Sequence, residues 1–156
     1  MDVVVKIGEV KKGQKQDILK ATLGSCVGIA FIRRDTGLAA LAHCLLPSGP
    51  STLSIGAKYV TQAVPSLISL LGLRPEDYVH VEAHLAGGAN MFNMAGDKMQ
   101  NVGKKNAELA VSLIDELGIK ISTRQFGGNS AYQMSVDCSK GTVQVNNIKA
   151  LRDDHE

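Results

Sequence analysis

The sequence predicts a single α/β domain built on mixed, largely antiparallel sheets. Three observations carry this. The chain has 156 residues, 44% of them hydrophobic and 21% charged, which suits one domain with a sizeable core. Short β-rich apolar runs follow one another across tight polar or glycine turns, as antiparallel pairs require. Only two stretches repeat apolar residues at helical spacing, too few for a doubly wound parallel sheet. Repeats, low-complexity tracts and linkers are absent, so residues 1–150 are assigned to one domain and 151–156 to a polar tail.

In chain order, residues 2–7 read as a strand, Lys11 to Lys15 as a polar turn and 17–22 as a second extended segment. Gly24-Ser25 interrupts the pattern just before Cys26. Residues 26–32 and 38–44 are apolar strands joined by the turn Arg33-Arg34-Asp35-Thr36-Gly37. Pro47 to Ser54 is a loop. Residues 56–72 carry Val60, Ala63, Val64, Leu67, Leu70 and Leu71 at helical spacing, with Gly72 as stop; Pro65 should kink or break that helix. Residues 77–85 read as a strand, followed by the loop Ala86 to Asn90. The clearest helix is 104–117, with Gly118 after it. Residues 119–124 form a strand, Phe126-Gly127-Gly128-Asn129 a turn, and 131–137 with 142–148 a hairpin.

Several function classes are disfavoured. Net charge is +2 with the basic residues scattered, unlike a nucleic-acid-binding face. The first residues hold an early acid and too short an apolar run for a signal peptide, and no apolar stretch spans a membrane, so a cytoplasmic location is expected. Cys26, Cys44 and Cys138 lack paired spacing and are expected as free thiols. His80 and His84 sit in a segment read as strand, where a spacing of four does not make a metal pair; no metal is expected.

The hairpin of 26–32 and 38–44 brings chemistry together. With its turn centred near Asp35, Cys26 and His43 fall opposite or nearly opposite each other at the open end, an imidazole within reach of a thiol. Gly24 before Ser25 allows close approach of a substrate carbonyl, and backbone N–H groups near Cys26 would hold an oxyanion. Two readings compete: a buried strand cysteine is often a small hydrophobe beside a structural histidine, and a register shift of one would instead pair Cys26 with Cys44 as a redox couple. Cys138 reads as inert. The glycine turns at 24, 87–88 and 127–128 lack phosphate-loop spacing but suit a cleft rim.

These residues resemble a family. Leu23-Gly24-Ser25-Cys26-Val27-Gly28 and Ala42-His43-Cys44-Leu45-Leu46-Pro47 look like the CheD chemoreceptor glutamine deamidases. So do Gly56-Ala57-Lys58-Tyr59, Ala86-Gly87-Gly88-Ala89-Asn90-Met91-Phe92, Asn101-Val102-Gly103-Lys104-Lys105-Asn106 and Gly127-Gly128-Asn129. The resemblance implies a three-layer α/β/β sandwich that hydrolyses glutamine amides on chemoreceptor cytoplasmic helices, with some methylesterase activity and without a cofactor. It implies Cys26 as nucleophile, His43 as base, and binding by CheC-type phosphatases to a monomer; Gly24 and Ser25 remain the oxyanion positions read from the turn before Cys26. Met91, Phe92, Gly87, Gly88 and Asn129 are expected around the substrate, with Phe126 near the rim. The family's threonine five or six residues before the cysteine is replaced by Ala21 and Lys20. Thr22 is the nearest substitute, in another strand register; a backbone carbonyl is the alternative orienter of the imidazole. The rival class is a non-catalytic adaptor docking on receptors or on a CheC-type phosphatase.

Overall fold

The computed structural model describes residues 1–50, 54–90 and 102–148. Met91, Phe92 and the tail 151–156 lie outside the described residues. The strands are β1 (Asp2–Val4), β2 (Val10–Lys12), β3 (Ile18–Leu23), β4 (Val27–Arg33), β5 (Leu38–Cys44), β6 (Val81–Gly87), β7 (Lys120–Phe126), β8 (Tyr132–Asp137) and β9 (Thr142–Asn147). The helices are α1 (Val60–Leu70) and α2 (Val102–Leu117).

The strands form two sheets, ordered β1-β3-β8-β9 and β2-β5-β4-β6-β7. Only β1–β3 and β6–β7 are parallel; the other pairs are antiparallel. The five-stranded sheet is the middle layer. In β4, Val27, Ile29 and Phe31 face one core with α1 and α2, whereas Ala30 and Ile32 face a second core shared with Leu19, Leu23, Met134 and Val136 of the four-stranded sheet. The mixed-sheet α/β domain read from the sequence is therefore observed, in the three-layer α/β/β arrangement that the resemblance implies. Because both faces of the middle sheet are covered, β4 and β5 are apolar at nearly every position instead of alternating.

Several local expectations are corrected. Lys11-Lys12 is not a turn but part of β2, a three-residue edge strand on β5, where lysine is a common edge residue. The strand read at 77–85 starts at Val81; Pro75–His80 is a 3₁₀ turn, opened by the Arg74 N–H donating to the Asp77 carboxylate at 2.9 Å. Pro65 does not break α1, which runs unbroken for 11 residues. The proline stands exposed, and its missing N–H deprives only the Thr61 carbonyl of an intrahelical donor. No helix among the described residues is long and apolar enough to cross a membrane.

Candidate active site

The β4–β5 ladder pairs Gly28 with His43 and Val27 with Cys44. Cys26 thus stands one residue beyond the ladder, and His43 is its diagonal rather than its direct neighbour. The shift by one residue each way keeps both side chains on one face, because the side-chain period is two. Diagonal partners have Cα atoms about 7–8 Å apart, a gap that an imidazole and a thiol can close. Both residues lie at the margin of the inter-sheet core, 6% and 4% exposed. Cys44 belongs to the opposite core, beneath the helices. The two side chains therefore leave the sheet on opposite faces, although the thiols are close enough to interact electrostatically; both are free thiols, as is Cys138.

His43 is held from above by the N-terminal segment as it crosses between the sheets. The Gly8 N–H donates to the His43 carbonyl and the His43 N–H to the Glu9 carbonyl, at 2.8 and 2.9 Å. The ring Nδ1 lies 2.9 Å from the Val5 carbonyl oxygen. A carbonyl only accepts, so Nδ1 carries the proton and Nε2 presents its lone pair. Nε2 is buried and has no hydrogen-bond partner among the described residues. Burial pushes the His43 pKa down, against the Val5 carbonyl and the Glu9 charge, which raise it. Burial likewise pushes the Cys26 thiol up. Both shifts favour the neutral forms, a thiol and an imidazole in the tautomer that accepts a proton, and the two are not hydrogen-bonded to each other.

Thr22 does not orient this ring. On β3, Leu19, Ala21 and Leu23 face the inter-sheet core, while Thr22 is exposed on the outer face. Ala21, at an inward position, has no group to bond the ring, and the contact that fixes the ring's orientation is the Val5 carbonyl.

Three glycine turns converge behind Cys26. The Gly88 N–H donates to the Cys26 carbonyl at 2.8 Å and the Ala89 N–H to the Gly24 carbonyl at 2.9 Å. Gly127 N–H reaches the Gly87 carbonyl, and Asn90 N–H the Gly128 carbonyl. Gly87 has φ +109°, and any Cβ there would overlap the Cys26 carbonyl oxygen. Gly87 and Gly88 thus brace the cysteine turn through their backbone. Asn129 is exposed in the third turn, and Phe126 is half-buried at the end of β7. Ser25, in the turn itself, passes its carbonyl to Asn106.

Asn106 is a site residue that sequence reasoning missed. Its Nδ2 donates to the Ser25 carbonyl at 3.1 Å and to the Leu45 carbonyl at 3.0 Å, and the residue is fully buried. The signal was a lone polar residue on the apolar face of α2, in line with Ala107, Ala110 and Ile114. His80 and His84 are not a metal pair: His80 lies in the 3₁₀ turn, and His84 Nδ1 sits 2.7 Å from the Thr123 hydroxyl. No cluster of three His, Cys, Asp or Glu suited to a metal occurs among the described residues.

The comparisons with known proteins agree with the motif resemblance. The family model described as CheD chemotactic sensory transduction matches residues 45–147, a span that begins just after His43. A Ruegeria protein named "Probable chemoreceptor glutamine deamidase CheD 2" is 32% identical over 94% of this chain and 92% of its own length. Proteins named "Probable chemoreceptor glutamine deamidase CheD" from Bdellovibrio bacteriovorus and Methanococcus vannielii are 36% and 34% identical. They cover 85% and 93% of this chain and 86% and 94% of their own. A solved Neisseria meningitidis structure of the DUF152 family is a more distant likeness, with a TM-score of 0.43 and 14% identity over 77% of this chain and 52% of that one. On the family match and these full-length relatives together, the chain belongs to the CheD family.

Proposed function

We propose that this protein hydrolyses glutamine side-chain amides on chemoreceptor cytoplasmic helices to glutamate, with Cys26 as nucleophile and His43 as general base. The observation that carries the reading is the His43 ring, tied at Nδ1 to the Val5 carbonyl with Nε2 unpaired on the face it shares with Cys26. The relatives' names supply the substrate class.

Burial disfavours both the thiolate and the imidazolium, so the proton is assigned to move from Sγ to Nε2 as the sulfur attacks, rather than beforehand. Attack on the amide carbon places a negative charge on its oxygen. The Ser25 and Cys26 N–H groups, which take part in no backbone hydrogen bond among the described residues, are assigned as its donors. Collapse expels the amide nitrogen, protonated by His43, as ammonia and leaves a thioester on Cys26. His43 then takes a proton from water, whose oxygen attacks the thioester, and the glutamate carboxylate leaves with the thiol restored. A receptor methyl ester would follow the same route with methanol departing, which brings methylesterase activity within the same chemistry. No step requires a metal or organic cofactor. The reading includes a cytoplasmic monomer and a CheC-type phosphatase as a competing occupant of the site, with Asn129 and Phe126 near the substrate.

The test is peptide mass spectrometry of a receptor cytoplasmic fragment incubated with wild type, Cys26→Ala or His43→Ala. Amide-to-acid conversion is expected with wild type, with none from Cys26→Ala and a loss of about 10²–10⁴-fold from His43→Ala, the usual worth of a general base. No conversion by wild type, with receptor binding intact, would favour a docking adaptor.

A further inference from the structure

Asn106 occupies an unusual place in the fold. Among the buried positions of α2 it is the single polar residue, set among Gly103, Ala107, Ala110 and Ile114. It reaches across to two carbonyls on either side of the thiol–imidazole pair. Ser25 directly precedes Cys26, and Leu45 follows His43 by two residues. The β4–β5 ladder ends at Val27 with Cys44. Beyond that point each strand end is tied to other neighbours, Cys26 to the Gly88 N–H and Leu45 to the Lys58 carbonyl, but no ladder bond joins the two ends directly, and the Cys26 and His43 side chains project from that end. The Asn106 amide spans the opening where the next ladder bonds would lie.

The amide orientation is fixed by chemistry. Both contacts are to carbonyl oxygens, so the donor nitrogen must face them; the flipped amide would set oxygen against oxygen. The Oδ1 atom is left buried, with no partner among the described residues. An unpaired buried oxygen costs free energy, so the two donor bonds are what hold the amide in this place and orientation. The backbone around it is built to let α2 come this close. A Cβ on Gly103 would stand 2.7 Å from the carbonyl oxygens of Gly88 and Ala89, the same residues whose N–H groups hold Cys26 and Gly24. A side chain at 103 would lift the helix away and take Asn106 out of reach.

We propose that Asn106 is a positioning residue that clips the Cys26 turn to the end of the His43 strand and so sets the separation of thiol and imidazole. The inference rests on the reading of Cys26 and His43 as a working pair. Asn106 touches neither reacting atom; it acts through the backbone on both sides of them.

The test reads Cys26 alkylation by iodoacetamide in the full chain, resolved from Cys44 and Cys138 by peptide mass spectrometry, between about pH 6 and 10 where thiols and histidine titrate. Four chains are compared: wild type, His43→Ala, Asn106→Asp and the double variant. Asn106→Asp keeps the volume and removes the paired donors; Asn106→Ala repeats the comparison with the side chain deleted, and whichever variant folds by circular dichroism decides the outcome. In the wild-type background, His43→Ala should slow alkylation near neutral pH on the order of tenfold, within the coupling range for residues of one network. In the Asn106 background the same His43 substitution should change the rate less than about twofold, because the pair is no longer aligned. An equal His43 effect in both backgrounds, or none in wild type, overturns the proposal. Alkylation needs no receptor. A chain that alkylates as expected yet converts no receptor glutamine therefore sinks the function proposed above and leaves the positioning role standing.

Discussion

Replacing Gly87 with alanine tests how the cysteine turn is held. Gly87 sits at φ +109°, where an L-residue is strained by about 1–3 kcal/mol. Its new Cβ would also overlap the Cys26 carbonyl oxygen, which is backbone and moves only with the turn. The adjacent Gly88 N–H bond to that carbonyl, 2.8 Å long, should then be lost or stretched at about 0.5–1.5 kcal/mol. Together these give a destabilisation of about 1.5–4.5 kcal/mol, or a fall in Tm of about 3–18 °C for a domain of this size. Gly118→Ala is the matched control: its φ is +75°, and nothing lies within 4 Å of an added Cβ, so it carries the strain without the collision. Urea denaturation of both variants isolates the brace as the difference between them, and receptor deamidation should fall in Gly87→Ala alone. If Gly87→Ala is no more destabilising than Gly118→Ala, the brace on Cys26 is refuted.

Further expectations concern charge, the orienting group and the second thiol. Burial holds His43 and His84 below the ordinary histidine value, so as pH falls through about 6.5 the unfolded chain takes up protons first. Stability present above that pH is lost below it, which urea midpoints at about pH 5 and 7 would show. For the same reason the acid limb of the deamidation rate should have its midpoint below 6.5, the value of a free histidine; a midpoint above it would mean a charged partner holds the ring. Thr22→Ala should leave deamidation unchanged and stability within about 0.5 kcal/mol, as for an ordinary surface change; a loss of rate would restore Thr22 as an orienter. Mild oxidant should produce no Cys26–Cys44 bond on non-reducing peptide mapping, because the two thiols point into different cores.

The hairpin that carries the site was legible because its signals are local. The Arg33 to Gly37 turn and two unbroken apolar runs gave β5 its observed limits and β4 within one residue. Register was less legible, since the chain pairs Gly28 with His43, and one residue at the turn decides between direct and diagonal partners. The orienter of His43 was invisible for another reason. Nothing in Val5 as a residue type announces that its carbonyl will lie over an imidazole 38 positions away; only the crossing of the N-terminal segment between sheets puts it there. β2 was missed because Lys11 and Lys12 look like a turn until an edge strand needs charge. The 3₁₀ turn at Pro75 could have been found, since Arg74-Pro75 followed by Asp77 is a helix-start pattern. Asn106 could have been found as well, as a polar break in an apolar helical stripe.

The central claim is tested most directly by trapping the covalent intermediate. Wild-type protein mixed with a receptor fragment would be quenched in acid within a single turnover and mapped by mass spectrometry. The account predicts a transient adduct whose mass is the sum of the two chains less ammonia, localised to Cys26 and appearing before the glutamate product. Product formation by Cys26→Ala, or an adduct that maps to Cys44 or Cys138, would contradict it.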